Sequence, residues 1–157
     1  MYTTTDFFIR LVLASLFGAM IGLEREPRAK EAGTRTHFLV AMGRALFTIL
    51  SQYGFDAALK DYASFASFDP SRIAAQVVTG IGFIGAGTII LQKNVVRGLT
   101  TAAGLWVTAA IGMACGVGMY VVAAVSTTLV MICYEAFNFF LHKMHKKARE
   151  EDKFPDE

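Results

Sequence analysis

From Pro70 to Tyr134 the chain contains no Asp or Glu, and its only basic residues there are Arg72, Lys93 and Arg97. A run that long and that poor in charge cannot form the surface of a water-soluble domain. Soluble domains carry roughly 25% charged residues. Here the whole chain has 18% charged and 54% hydrophobic residues. Apolar runs separated by short polar connections fit helices that cross a bilayer. The expected fold is therefore all-α: a polytopic transmembrane helical bundle of about five helices in a single domain.

The spans can be placed along the chain. The first is Phe7–Leu23, with Arg10 one turn inside and able to snorkel. Its N-terminal flank lacks the basic n-region and cleavage pattern of a signal peptide, so the segment is expected to be retained. Glu24–His37 carries seven charges, with Pro27 interrupting the helix. The second span is Phe38–Phe55. The connection from Asp56 to Arg72 has scattered aromatics and reads as a short amphipathic element on the membrane surface. Asp69-Pro70-Ser71 reads as a helix start, with Asp69 as N-cap. The third span is Ile73–Leu91, followed by the turn Gln92–Gly98. The fourth is Leu99–Met113. Cys115, Gly116 and Gly118 suggest a tight reversal before the fifth, Met119–Leu141. This divides the chain into a membrane domain, 1–142, and a short charged tail, 143–157.

Charge placement supports five crossings. Arg25, Arg28, Lys30 and Arg35 lie in the first connection, Lys93 and Arg97 in the third, and five more cations in the tail. These groups share one side only if the number of crossings is odd. The positive-inside rule then puts the N-terminus in the periplasm and the C-terminus in the cytoplasm.

Within the third span, "VVTGIGFIGAGTII" (Val77–Ile90) has the G-x-G-x-x-G spacing of a dinucleotide loop. That loop needs an acidic residue about 20 positions on, and none occurs before Glu135. No Walker sequence is present either. Small residues in lipid instead let helix backbones approach closely. Gly80, Gly82, Gly85 and Gly87 are expected to pack against neighbouring helices, as are Gly18 and Gly22 of the first span. The alternative is a broken third helix exposing backbone groups to a solute.

The polar residues in the apolar zones each have a bland and a sharp reading. Arg44, in the second span, is an anchor paired with Glu24 or Glu26, or a functional intramembrane cation. Glu135 pairs with Arg97 or Arg44, or lies on an ion or proton path. Asp69 with Arg72 is explained as a helix cap, and His37 as a structural histidine. Cys115 and Cys133 read as small buried hydrophobes. Ser, His and acidic residues form no hydrolytic motif, so no enzyme activity is expected. Magnesium would have only the membrane-edge acids for ligands, which leaves room for weak Mg2+ contact and no resident cofactor. Charge confined to loops offers no face for nucleic acid.

Four stretches carry a family likeness: "GAMIGLERE" (Gly18–Glu26), "AGTRTHFLVAMG" (Ala32–Gly43), "DPSRIAAQVVTGIGFIGAGTII" (Asp69–Ile90) and "VRGLTTAAGLWVTAAIG" (Val96–Gly112). In this order they resemble the MgtC/SapB family of bacterial inner-membrane proteins. The resemblance implies a setting of growth in low magnesium and virulence. It also implies a role in modulating other membrane proteins, such as a P-type or F-type ATPase. It marks Glu24, Arg25, Glu26, Arg35, Thr36, His37, Asp69, Arg72, Asn94, Arg97 and Thr101 as the motif's polar residues. Two departures stand out. Arg44 replaces what is often a small residue, and the soluble C-terminal domain of many members is not expected here. The resulting expectation is a multi-pass inner-membrane modulator working through the lipid bilayer, as a homodimer or with a partner. The alternative is a transporter of magnesium, protons or a small solute.

Overall fold

Five helices make up most of the backbone in the computed structural model, which describes residues 3–55, 69 and 71–151. Helix α1 is Thr4–Arg25, and a 3-10 turn, Glu26–Arg28, follows it. Helix α2 is Thr34–Tyr53, α3 is Ser71–Gly87, α4 is Leu99–Gly116 and α5 is Tyr120–Glu151. Three of them, α1, α4 and α5, are long and apolar enough to cross a membrane. Helix α2 has the length but carries His37 and Arg44, and the apolar part of α3 is the shorter stretch Ala75–Gly87. The expected surface element between Asp56 and Phe68 lies outside the described residues, as does Pro70.

The bundle is built with small residues inside and large ones outside. Ala14, Ala41, Ala45, Ala109, Cys115 and Ala123 are buried, while Phe8, Leu16, Phe47, Phe83, Val121 and Leu129 are exposed. A lipid solvent explains that inversion. Apolar area gains little by leaving lipid, so helices associate by close backbone approach. Helix α1 packs most extensively on α2, and α2 on α4. A Cβ on Gly18 would stand 2.5 Å from the His37 carbonyl, and one on Gly22 would strike the Thr34 backbone. Gly112 and Gly116 of α4 press as closely on Ala41, Ala45 and Thr48 of α2.

Six Ser and Thr hydroxyls within the helices satisfy themselves. Ser15, Thr48, Thr79, Thr108, Thr127 and Thr128 each donate to the carbonyl four residues earlier. In lipid that local bond spares each group an unsatisfied donor.

One boundary differs from expectation. The third helix is continuous but stops at Gly87, four residues early. Ile90–Gln92 (β1) and Val95–Arg97 (β2) instead pair antiparallel as a hairpin. Lys93 and Asn94 take positive φ, 50° and 62°, as a two-residue turn that follows strand twist requires. Helix α5 runs on to Glu151, with no break in its backbone at position 142. The reversal after α4 falls where glycine predicts it. Gly118 has φ 88°, its N–H bonds Cys115 O and the Met119 N–H bonds Ala114 O, the double bond of a Schellman stop.

Candidate functional site at the basic end of the bundle

The sequence bends sharply where α1 ends, because Pro27 cannot continue the helix. The chain returns into α2 through Ala29–Gly33, and the hairpin delivers it into α4 at the same end. Arg25, Arg28, Lys30, Arg97 and Thr101 thereby gather around one cavity of about 480 Å³.

Arg25 is the keystone, only 3% exposed. Its Nη2 donates to Thr101 Oγ1 at 3.1 Å, and its guanidinium lies 4.4 Å above the Tyr134 ring. The Thr101 hydroxyl in turn donates a hydrogen bond to Glu31 Oε2 at 2.6 Å. That hydrogen bond holds the Glu31 carboxyl below the usual carboxylate range. Arg28 bridges two acids, Glu24 on its own turn and Glu135 on α5 at 2.8 Å. Glu26 turns the other way. Its carboxylate accepts the Thr34 backbone N–H at 3.0 Å and so caps α2.

Behind Arg25 lies a closed polar spot. His37 is fully buried, with Nδ1 2.9 Å from Gly33 O. Its Nε2 and the Tyr134 hydroxyl have no hydrogen-bond partner, and both face Gly104. A side chain on Gly104 would collide with the Tyr134 hydroxyl.

The expected site residues therefore fall into separate places. Glu24, Arg25, His37, Thr101, Arg97 and Glu135 come together at the basic end. Asn94 serves the hairpin turn, and Arg35 is exposed on the first turn of α2. Asp69 and Arg72 form an exposed pair at 3.9 Å, at the start of α3. Because α3 is about 25 Å long and its other end meets α4 near Ala102, that pair belongs to the opposite face.

Three expectations are corrected. Arg44 does not pair with Glu24 or Glu26, whose carboxylates are taken by Arg28 and the Thr34 N–H. Its guanidinium instead lies against Gly80, 3.5 Å from where a Cβ would stand. Glu135 pairs with Arg28, not with Arg97 or Arg44. Of the four α3 glycines expected to pack, Gly85 alone lies on the packing face. Val77, Ile81 and Gly85, four residues apart, turn toward α4, while Gly80, Gly82 and Gly87 are exposed. Among the described residues nothing lies within 4 Å of a Cβ on Gly82 or Gly87.

Sequence reasoning passed over Tyr134 and the packing face of the α4 glycines, and its reading of Arg10 is corrected as well. Arg10 does not snorkel. It is 4% exposed and donates to Gly116 O at 2.6 Å and to the Tyr53 hydroxyl at 3.2 Å. The missed signal in α4 is Gly104-Thr108-Gly112-Gly116, a strict four-residue spacing of small side chains on one helix face.

The chain can now be set beside known proteins. A profile of the MgtC family matches residues 11–144. The chain belongs to the MgtC family. Among relatives, "Putative magnesium transporter YhiD" of Escherichia coli K12 is 49% identical over 144 residues, covering 92% of this chain and 66% of YhiD. "Protein MgtC" of Salmonella typhimurium LT2 is 42% identical over 127 residues, 81% of this chain and 50% of that protein. An uncharacterised Haemophilus influenzae protein is 38% identical, over 90% of this chain and 60% of its own length. The chain thus spans half to two thirds of these relatives. No solved structure matches it. With its long apolar helices, this MgtC-family chain is a multi-pass inner-membrane protein. Among the described residues no group of three or more His, Cys, Asp or Glu could hold a metal ion.

Proposed function

We propose that this chain is a non-enzymatic modulator in magnesium homeostasis, acting by docking the exposed face of α3 against a helix of a partner membrane protein. The magnesium setting rests on family membership and on the name of YhiD. One observation carries the docking: the open glycine face of α3 has an unanswered cation beside it. Gly87, seven residues from Gly80 and on the same side of the helix, leaves room for another backbone, and Arg44 stands midway along α2 next to Gly80. Among the described residues no carboxylate pairs with it. A cation at that depth is costly, so the partner helix is expected to bring an acidic side chain. In this reading the basic end faces the cytoplasm, in accord with its cluster of cations.

Complementation in limiting magnesium tests the proposal. Gly87→Leu fills the open face without touching the bundle, and Arg44→Met removes the cation. Both are expected to abolish growth support while the purified variants melt as the parent does. Photocrosslinking from position 83 in native membranes then distinguishes a second copy from a different protein. Full growth support by both variants would sink the docking model.

The name of YhiD favours a second reading, a magnesium carrier. Flux of Mg2+ into liposomes holding the purified chain, above that of empty liposomes, would replace the modulator by the carrier.

A further inference from the structure

We infer that the cavity at the N-terminus of α4 binds a phosphate group. The inference does not depend on whether the chain modulates a partner.

The charge of the cavity selects its ligand. Arg25, Arg28, Lys30 and Arg97 line it; Arg28 is bridged to Glu24 and Glu135, which leaves Arg25, Lys30 and Arg97 against a single carboxylate, Glu31. Such a surplus repels Mg2+ and attracts an anion. The rest of the wall is the first turn of α4, from Gly98 to Thr101. Gly98 is the N-cap and no side chain caps the helix. The first N–H groups of a helix have no partner within it and carry its positive pole, so they suit an anion. Gly98, at φ 88°, has no side chain to screen them.

Arg25 supplies a second, independent pointer. It lines the cavity yet is only 3% exposed, and among the described residues its Nε has no hydrogen-bond partner. Thr101 and the Tyr134 ring hold its guanidinium in place, so little ordering cost remains when an oxyanion arrives. A phosphate has more acceptor oxygens than a carboxylate. It can take the arginine donors and the helix N–H groups together.

Glu31 occupies part of this space by accepting the Thr101 hydroxyl. An incoming phosphate competes with it for Thr101 and is repelled by its charge. Glu31 is therefore a built-in competitor, which sets the affinity.

The phosphate has two possible sources. The hairpin beside the cavity exposes Ile90, Leu91, Val95 and Val96, a surface on which acyl chains could lie under a bound headgroup. A cavity of about 480 Å³ also admits free phosphate.

The test uses the full chain in dodecyl maltoside, which contains no phosphate. Thermal unfolding is followed on titration with potassium phosphate against potassium chloride at equal ionic strength. A parallel arm adds phosphatidylglycerol against phosphatidylcholine and counts retained lipid by native mass spectrometry. Stabilisation by phosphate alone indicates a soluble ligand, and by phosphatidylglycerol alone a headgroup. Stabilisation by both assigns the site to the shared group. Lys30 and Arg97 lie outside the packed core, so Lys30→Ala with Arg97→Ala is expected to fold normally. That double variant should weaken binding about tenfold or more, two charge-assisted contacts being lost. Glu31→Gln should tighten it. The inference is overturned if neither probe exceeds its control, if the double variant binds as the parent does, or if Glu31→Gln weakens binding.

Discussion

Helix α1 buries two arginines about four turns apart, and they have opposite surroundings. Arg10, at one end of the bundle, is enclosed by protein acceptors: the Gly116 carbonyl, the Tyr53 hydroxyl and the faces of Phe7 and Tyr53. It closes the C-terminus of α4, where a cation is favoured by the helix dipole. Arg25, at the other end, meets a hydroxyl, a ring and a cavity full of further cations. It stands by the N-terminus of the same helix, where a cation is disfavoured. The first arginine holds the fold together. The second is positioned against the local electrostatics, which marks its end as the place to look for a ligand.

The largest test of that contrast is Arg10→Met. It leaves the Gly116 carbonyl and the Tyr53 hydroxyl without their donor, and is expected to cost about 2–4 kcal/mol, read by unfolding in detergent. A loss below about 1 kcal/mol would remove the distinction between the ends. Next is Gly104→Ala at the open end. The new methyl overlaps the Tyr134 hydroxyl, and overpacking of this kind costs about 1–3 kcal/mol. Tyrosine fluorescence should shift with it, and an unchanged melting temperature would mean that the space around His37 and Tyr134 is loose.

A smaller effect concerns pH. The Glu31 carboxyl is held below its ordinary value of 4.5, chiefly by the Thr101 hydrogen bond. Its contribution is therefore present above that value and fades as pH falls through the lowered one. Glu31 is exposed, so solvent screening limits the effect to a few tenths of a kcal/mol. The parent should lose slightly more stability than Glu31→Gln between about pH 5 and pH 3. Equal losses would show that the bond contributes nothing. The smallest effect is expected for Glu135→Gln. It opens the bridge to Arg28, but Glu135 is largely exposed, so the change should stay below about 0.5 kcal/mol.

Much of this arrangement was legible in the chain itself. The acid-free stretch from Pro70 to Tyr134 demanded apolar helices, and the four motif stretches led to the family that the profile match then showed. Gly116 and Gly118 marked the stop after α4. The spacing of basic residues also anticipated that the first connection and the hairpin meet at one end. Side-chain partners were less legible. Arg44 was assigned to Glu24 or Glu26 because its place in the span put it on their side of the membrane, but those acids were already committed to Arg28 and the Thr34 N–H. Arg10 was expected to reach outward because snorkelling is the usual escape for a charge near a helix end. A neighbouring helix terminus offered it a better place inside.

The glycines show the same division. "GIGFIGAG" draws attention by density, yet residues spaced by two point to opposite sides of a helix, and three of its four glycines are exposed. The quieter spacing of Gly18 with Gly22, and of Gly104, Gly112 and Gly116, repeats at multiples of four and lies in the contacts. Period alone told which small residues could pack together, because a helix brings every fourth residue round to one side. Composition and period thus determined by themselves that the chain is a helical membrane bundle and where its helices turn. Only the tertiary structure decided which helix met which, and so which charge was answered. Pairing depends on distances between segments far apart in sequence, and no local pattern encodes them.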